Sequence, residues 1–160
     1  MTVSNSIPPA VQAAKVVNNY VKGAVAVGLV PVPLVDLVAI SAIQLKMLHT
    51  VAGIYDYTFS DNQGKSLIAS LLGSVIPLSL KNNLFSLVKS IPVVGQTIGV
   101  IAMPVLGGAA TYAIGQVFIG HFESGGTLLD FDPDKVRDFY HEQFVTGKQV
   151  VKDNYVGVKP

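Results

Sequence analysis

The chain has 160 residues, half of them hydrophobic and only 13% charged, against about 25% in an average soluble domain, and its mean hydropathy is +0.51. That length allows one domain with its own core, but so apolar a chain is expected to hide further surface against lipid or sister subunits. With a formal net charge of +1, no basic stripe and no cysteine, nucleic acid is not an expected partner, and disulfides, thiolate nucleophiles and cysteine-held metals are excluded.

The N-terminal stretch 1–23 does not read as a signal peptide: its lysines follow the apolar positions, and Asn18 and Asn19 sit where a hydrophobic region should be. A cytoplasmic start is expected. Pro8 and Pro9 suit the opening of a helix, and Val11, Ala14, Val17 and Val21 give residues 10–21 a mildly amphipathic helical period. We read 1–23 as an interfacial helix.

Residues 24–45 are apolar except for Asp36 and Gln44. Pro31 and Pro33 break this stretch, because a residue before proline is pushed out of helical geometry. A helix is expected to restart near Pro33 and run to about Tyr55. Asp36 is the ionisable group that stands out, either as a cap of that helix or, less simply, as a polar point in an ion path.

Ser60, Asp61 or Asn62 can cap a helix over 64–76 that ends at Pro77. Its uncharged part, 66–80, is too short to span a bilayer. A short helix over 84–90, capped by Asn82, is expected before Pro92.

From Ser90 to Gly120 no side chain is charged, a run longer than the roughly 20 apolar residues a bilayer requires. Pro92 and Pro104 interrupt it, and Pro104 predicts either two shorter helices or one kinked helix. Gly95 and Gly99 have the small-xxx-small spacing that lets helices approach closely, and Gly107, Gly108 and Gly115 continue the thin face. These five glycines are the expected helix-packing and oligomer contacts.

After Gly120 the chain becomes polar. Ser124-Gly125-Gly126 reads as a turn, and Asp132-Pro133-Asp134 reads as the start of an amphipathic helix with an aromatic face of Phe139, Tyr140 and Phe144. The charges follow the same division. Residues 1–120 carry six lysines against Asp36, Asp56 and Asp61, whereas 121–160 carry five basic and seven acidic side chains.

No catalytic constellation emerges, so an enzyme is not expected. Gly64-Lys65-Ser66 lacks the earlier glycine of a phosphate loop, since Phe59 occupies that place. Asp130, Asp132 and Asp134 alternate like the start of a calcium loop, but Lys135 and His141 stand where glycine and glutamate are required. His49, His121 and His141 are scattered, without the spacing of a helical metal site. No cofactor is expected.

Leu29-Val-Pro-Val-Pro-Leu-Val-Asp36, Ile43-Gln-Leu-Lys-Met-Leu48 and Ala52-Gly-Ile-Tyr55, with Lys89-Ser-Ile-Pro-Val-Val-Gly95, Thr111-Tyr-Ala-Ile-Gly115 and Phe122-Glu-Ser-Gly125, resemble the YcjF-like family, domain of unknown function 697. The resemblance covers about residues 24–131. It implies a bacterial membrane-associated helical domain without assigned catalysis, linked to small GTPases. This chain carries no GTPase domain, so any nucleotide control implies a separate partner.

The expected architecture is all-α, with five to seven helices and proline/glycine-broken apolar hairpins. It divides into an N-terminal helix (1–23), an apolar helical domain (24–131) and a C-terminal amphipathic helix with a tail (132–160). The expected function is non-enzymatic: an oligomeric scaffold or GTPase effector on a lipid membrane, at its cytoplasmic face or in the inner membrane. A small ion channel or transporter and a soluble oligomer that carries lipid are the alternatives.

Overall fold

The computed structural model describes residues 6–30, 35–75 and 96–157, which form five α-helices and no strand. They are α1 (Pro9–Gly28), α2 (Val35–Ile54), α3 (Asp61–Val75), α4 (Gln96–Glu123) and α5 (Arg137–Val151), followed by a π-helical turn over Lys152–Val156. The class is all-α. Pro31, Pro33, Pro92, Gly95 and the expected helix at 84–90 lie outside the described residues.

Helix α1 starts where the sequence places it. Pro8 is extended and Pro9 occupies the first helical position, where proline's missing N–H costs no bond. The Pro8 carbonyl accepts from the amides of Val11 and Gln12. The helix runs a further two turns beyond Val21, because Ala13, Val17, Val21, Ala24, Val25 and Gly28 form one buried stripe at helical period.

Helix α4 is the centre of the bundle and touches each of the other four helices, α1 and α5 most extensively. A helix surrounded in this way must be apolar on all sides, which accounts for the uncharged run. From Pro104 to Ile119 only Leu106 is exposed, while Tyr112 and Gln116 are partly so. Pro104 does not split the helix. It is buried against α1, and the residue of α1 opposite it is Gly28.

The same logic repeats down the seam. A Cβ built on Gly107 would fall 2.8 Å from Ile40, one on Gly108 would fall 2.7 Å from Val25, and one on Gly115 would fall 2.5 Å from Val17. From the α5 side, Gly147 lies against the Ala109 backbone. The pairs Gly28–Pro104 and Val17–Gly115 make α1 and α4 antiparallel. Ile40–Gly107 and the Tyr55–Glu123 hydrogen bond make α2 and α4 parallel.

Two helix ends close in the same way. After α4, the amide of Gly126 donates to the His121 carbonyl and that of Gly125 to Phe122, with Gly125 at φ +85. This is a Schellman motif, which satisfies carbonyls that a helix end leaves without partners. After α2, Tyr57 donates to Ala52 and Asp56 to Gly53, but here the left-handed position is held by Asp56, at φ +58.

The C-terminal helix begins one turn later than Asp132-Pro133-Asp134 suggests. The Asp132 carboxylate accepts from the Asp134 amide at 3.0 Å, so the acid closes a local turn over 133–136. The first bond of α5 then runs from the Tyr140 amide to the Val136 carbonyl.

Candidate functional site

The bundle has two unlike ends, separated by α4. From Pro104 to Glu123 the helix rises about 28 Å at about 1.5 Å per residue. At the Pro104 end, Leu29 and Val30 follow Gly28, Val38 precedes Ile40 by two residues, and Leu106 lies between Pro104 and Gly107. All four are exposed apolar side chains, Val38 with 73% of its surface open. The Gly28–Pro104 and Ile40–Gly107 contacts bring these segments to the same level of the bundle, with Val38 on the outer side of α2, towards α3.

At the Glu123 end the surface is acidic. The Tyr55 hydroxyl donates to Glu123 at 2.7 Å, and burial, helped by this carboxylate, raises the tyrosine pKa. Asp130 accepts from the amide and hydroxyl of Thr127 and lies 3.3 Å from His121 Nε2. The Thr127 amide, more than any other group, holds the Asp130 carboxyl below its usual pKa. Asp132 pairs with Lys135 at 3.6 Å, and Asp134 pairs with Arg137. Phe131 anchors this connector by stacking on Phe118, with ring centroids 4.4 Å apart. Leu129 is exposed among these acids.

A groove opens on the outer side of α2, next to the apolar end. Val38, Ser41, Ala42 and Leu45 line it from α2 and Lys65 from α3, around a volume of about 560 Å³. The four α2 residues follow the i, i+3, i+4, i+7 spacing of one helix face, and Lys46 lies one turn beyond Ala42 on that side. The α2 part of this face was legible as spacing. Lys65 was not, because its contribution depends on how α3 folds back across α2.

Of the residues expected to matter, Gly107, Gly108 and Gly115 are buried against helices of the same chain, and Pro104 joins them beside Gly28. Gly99 lies within α4 and Asp36 in the first turn of α2. In the interior, Gln44 is fully buried and its Nε2 donates to Thr111 Oγ1 at 3.3 Å, while that hydroxyl donates to the Gly107 carbonyl at 2.8 Å. Gln44 Oε1 and the buried Tyr140 hydroxyl have no hydrogen-bond partner among the described residues. Burial raises the pKa of Tyr140.

Residues 103–123 are long and apolar enough to cross a membrane, yet 67% of that window is buried inside the protein. As arranged, α4 is enclosed by its own chain rather than offered to lipid. Among the described residues no three His, Asp or Glu side chains gather as a metal site would require.

No solved structure matches the chain. Magnetosome membrane protein 22 of Magnetospirillum gryphiswaldense is 42% identical to it over 137 residues, covering 85% of this chain and 70% of that protein. The family described as "Domain of unknown function (DUF697)" matches residues 8–149, from the start of α1 almost to the end of α5. The chain therefore belongs to the DUF697 family.

Proposed function

We propose that this protein is a membrane-associated helical protein that acts without catalysis, meeting the bilayer with the end of its bundle formed by Leu29, Val30, Val38 and Leu106. The observation that carries the reading is the difference in charge between the two ends: both expose apolar side chains, Leu29, Val30, Val38 and Leu106 at one and Ile7, Val11, Leu129 and Phe139 at the other, but it is the second that carries Glu123, Asp130, Asp132 and Asp134. Contiguous exposed apolar surface marks a membrane or protein contact. The relative that is 42% identical is named a membrane protein, which supports the membrane.

In this reading the protein is a scaffold or an effector of a GTPase-type partner on the cytoplasmic face, assembled as a homo-oligomer. The acidic end is then directed away from the lipid and is available to such a partner. The family assignment and the lack of a catalytic constellation in the sequence support a non-enzymatic role.

Membrane pelleting at physiological salt tests the proposal. The wild-type chain is expected to stay in the pellet. A Val38→Asp/Leu106→Asp double variant is expected to be released, and Leu129→Asp, at the acidic end, is expected to behave as wild type. Equal retention of all three would remove the apolar end from the mechanism.

A further inference from the structure

The groove between α2 and α3 has a composition that the apolar end does not share. Its α2 wall offers Val38, Ala42 and Leu45 with one hydroxyl, Ser41, while its α3 side carries a cation, Lys65. Lys46 adds a second exposed ammonium one turn beyond Ala42. An apolar wall with positive charge at its edge is complementary to a molecule with a hydrocarbon chain and an anionic head. The volume of about 560 Å³ lies within the roughly 300–1,000 Å³ of small-molecule sites.

The neighbouring charges agree with that polarity. Helices α1 to α3 carry Lys15, Lys22, Lys46 and Lys65 against Asp36 and Asp61, a net positive charge even with Asp61 one turn before Lys65, and the acids of the connector and α5 lie elsewhere. Val38, with 73% of its surface open, lines the groove at the level of the bundle where Leu29, Val30 and Leu106 are also exposed, so the groove opens towards the end proposed to meet the bilayer.

We propose that the α2–α3 groove binds an anionic phospholipid of the bilayer, with an acyl chain along Val38, Ala42 and Leu45 and the phosphate held by Lys65. Lysine is suited to this as a compact point charge on a flexible stem. The inference rests on the membrane reading above and goes further, because general adsorption to lipid does not require a site.

Co-sedimentation of the full chain with vesicles tests it, using phosphatidylcholine alone and phosphatidylcholine mixed with phosphatidylglycerol. The wild type is expected to prefer the mixed vesicles. Lys65→Gln is expected to lose roughly five-fold in binding to them, the effect of about one cation at an anionic surface. Lys22→Gln, an equal charge change on the exposed surface of α1, is expected to lose distinctly less. Ala42→Trp, which fills the groove from an exposed position, is expected to weaken binding to the mixed vesicles. Because the chain has no tryptophan, that indole is also the sole fluorophore of its kind, and its quenching by brominated acyl chains would place lipid in the groove.

Wild-type binding that Lys65→Gln and Ala42→Trp leave unchanged would overturn the groove while sparing the membrane reading. So would an equal loss in Lys22→Gln and Lys65→Gln. Failure of the wild type to bind either vesicle would overturn both.

Discussion

Gly28 and Pro104 meet backbone to backbone: a Cβ on Gly28 would lie 2.8 Å from the Pro104 Cα and 2.9 Å from its nitrogen. Neither group can rotate away as a side chain can, so this crossing sets how closely α1 approaches α4. Gly28→Ala is expected to destabilise the protein by about 1–3 kcal/mol, the usual cost of overpacking. Gly23→Ala, where a Cβ would meet nothing within 4 Å, is expected to stabilise α1 by about 0.8–1 kcal/mol. Thermal melts of the two variants should move in opposite directions.

Gly108 faces Val25 and Val151, so it separates two helices of the same chain. Gly108→Leu is therefore expected to lose helical content and cooperativity, as read by circular dichroism. A well-folded Gly108→Leu protein whose only change is in subunit number would instead assign this glycine to an interface between copies.

Asp56 holds a left-handed position that a side chain enters only at a cost of roughly 1–2 kcal/mol. Asp56→Gly is expected to raise stability by about 0.5–1 kcal/mol. Asp56→Val, with a branched Cβ in the same conformation, should lower it. Chemical denaturation midpoints distinguish the pair.

The Tyr140 hydroxyl is buried without a partner among the described residues, and an unsatisfied buried polar group costs about 1–3 kcal/mol. Tyr140→Phe retains the ring and removes the penalty, so the melting temperature should rise. A fall would show that the hydroxyl makes a bond that the fold needs.

Asp130 supplies the pH dependence. Its pKa is depressed below the ordinary 3.8, first by the Thr127 amide and further by the Thr127 hydroxyl, its own amide and His121. The folded state thus binds its proton more weakly than the unfolded state. Its stabilising effect is complete above about pH 4 and is lost as pH falls through the depressed value. Asp130→Asn should be less stable than wild type at neutral pH, with a difference that closes in acid. Melts at several pH values provide the check.

The sequence disclosed the helices more readily than their partners. The charge-free run 90–120 has the composition of a membrane segment, and lipid and protein interior demand the same composition of a helix. What separates them is the ring of neighbours around α4, and those neighbours, Val17, Val25 and Ile40, lie some 70–100 positions away in the chain. Gly107, Gly108 and Gly115 were recognisable as thin places for the same reason that the helices they face were not: a missing side chain is local, but what fills the space is distant. Asp132 shows the opposite difficulty. Its carboxylate can cap either a helix or a two-residue turn, and residue type alone does not choose between them. The groove was legible only in the spacing of its α2 wall, since Lys65 reaches it through the path of the loop after Tyr57.

The distance of about 28 Å between Pro104 and Glu123 also insulates one end of the bundle from the other. At physiological ionic strength charge effects fade over about 8 Å, so roughly two to three such lengths lie along the helix between Leu106 and the carboxylates of the Glu123 end. A surface touching Leu106 exerts almost no field on Asp130 or Asp132, and neutralising those acids leaves the attraction at the other end unaltered. The two ends are electrically independent, and α4 is the spacer that makes them so.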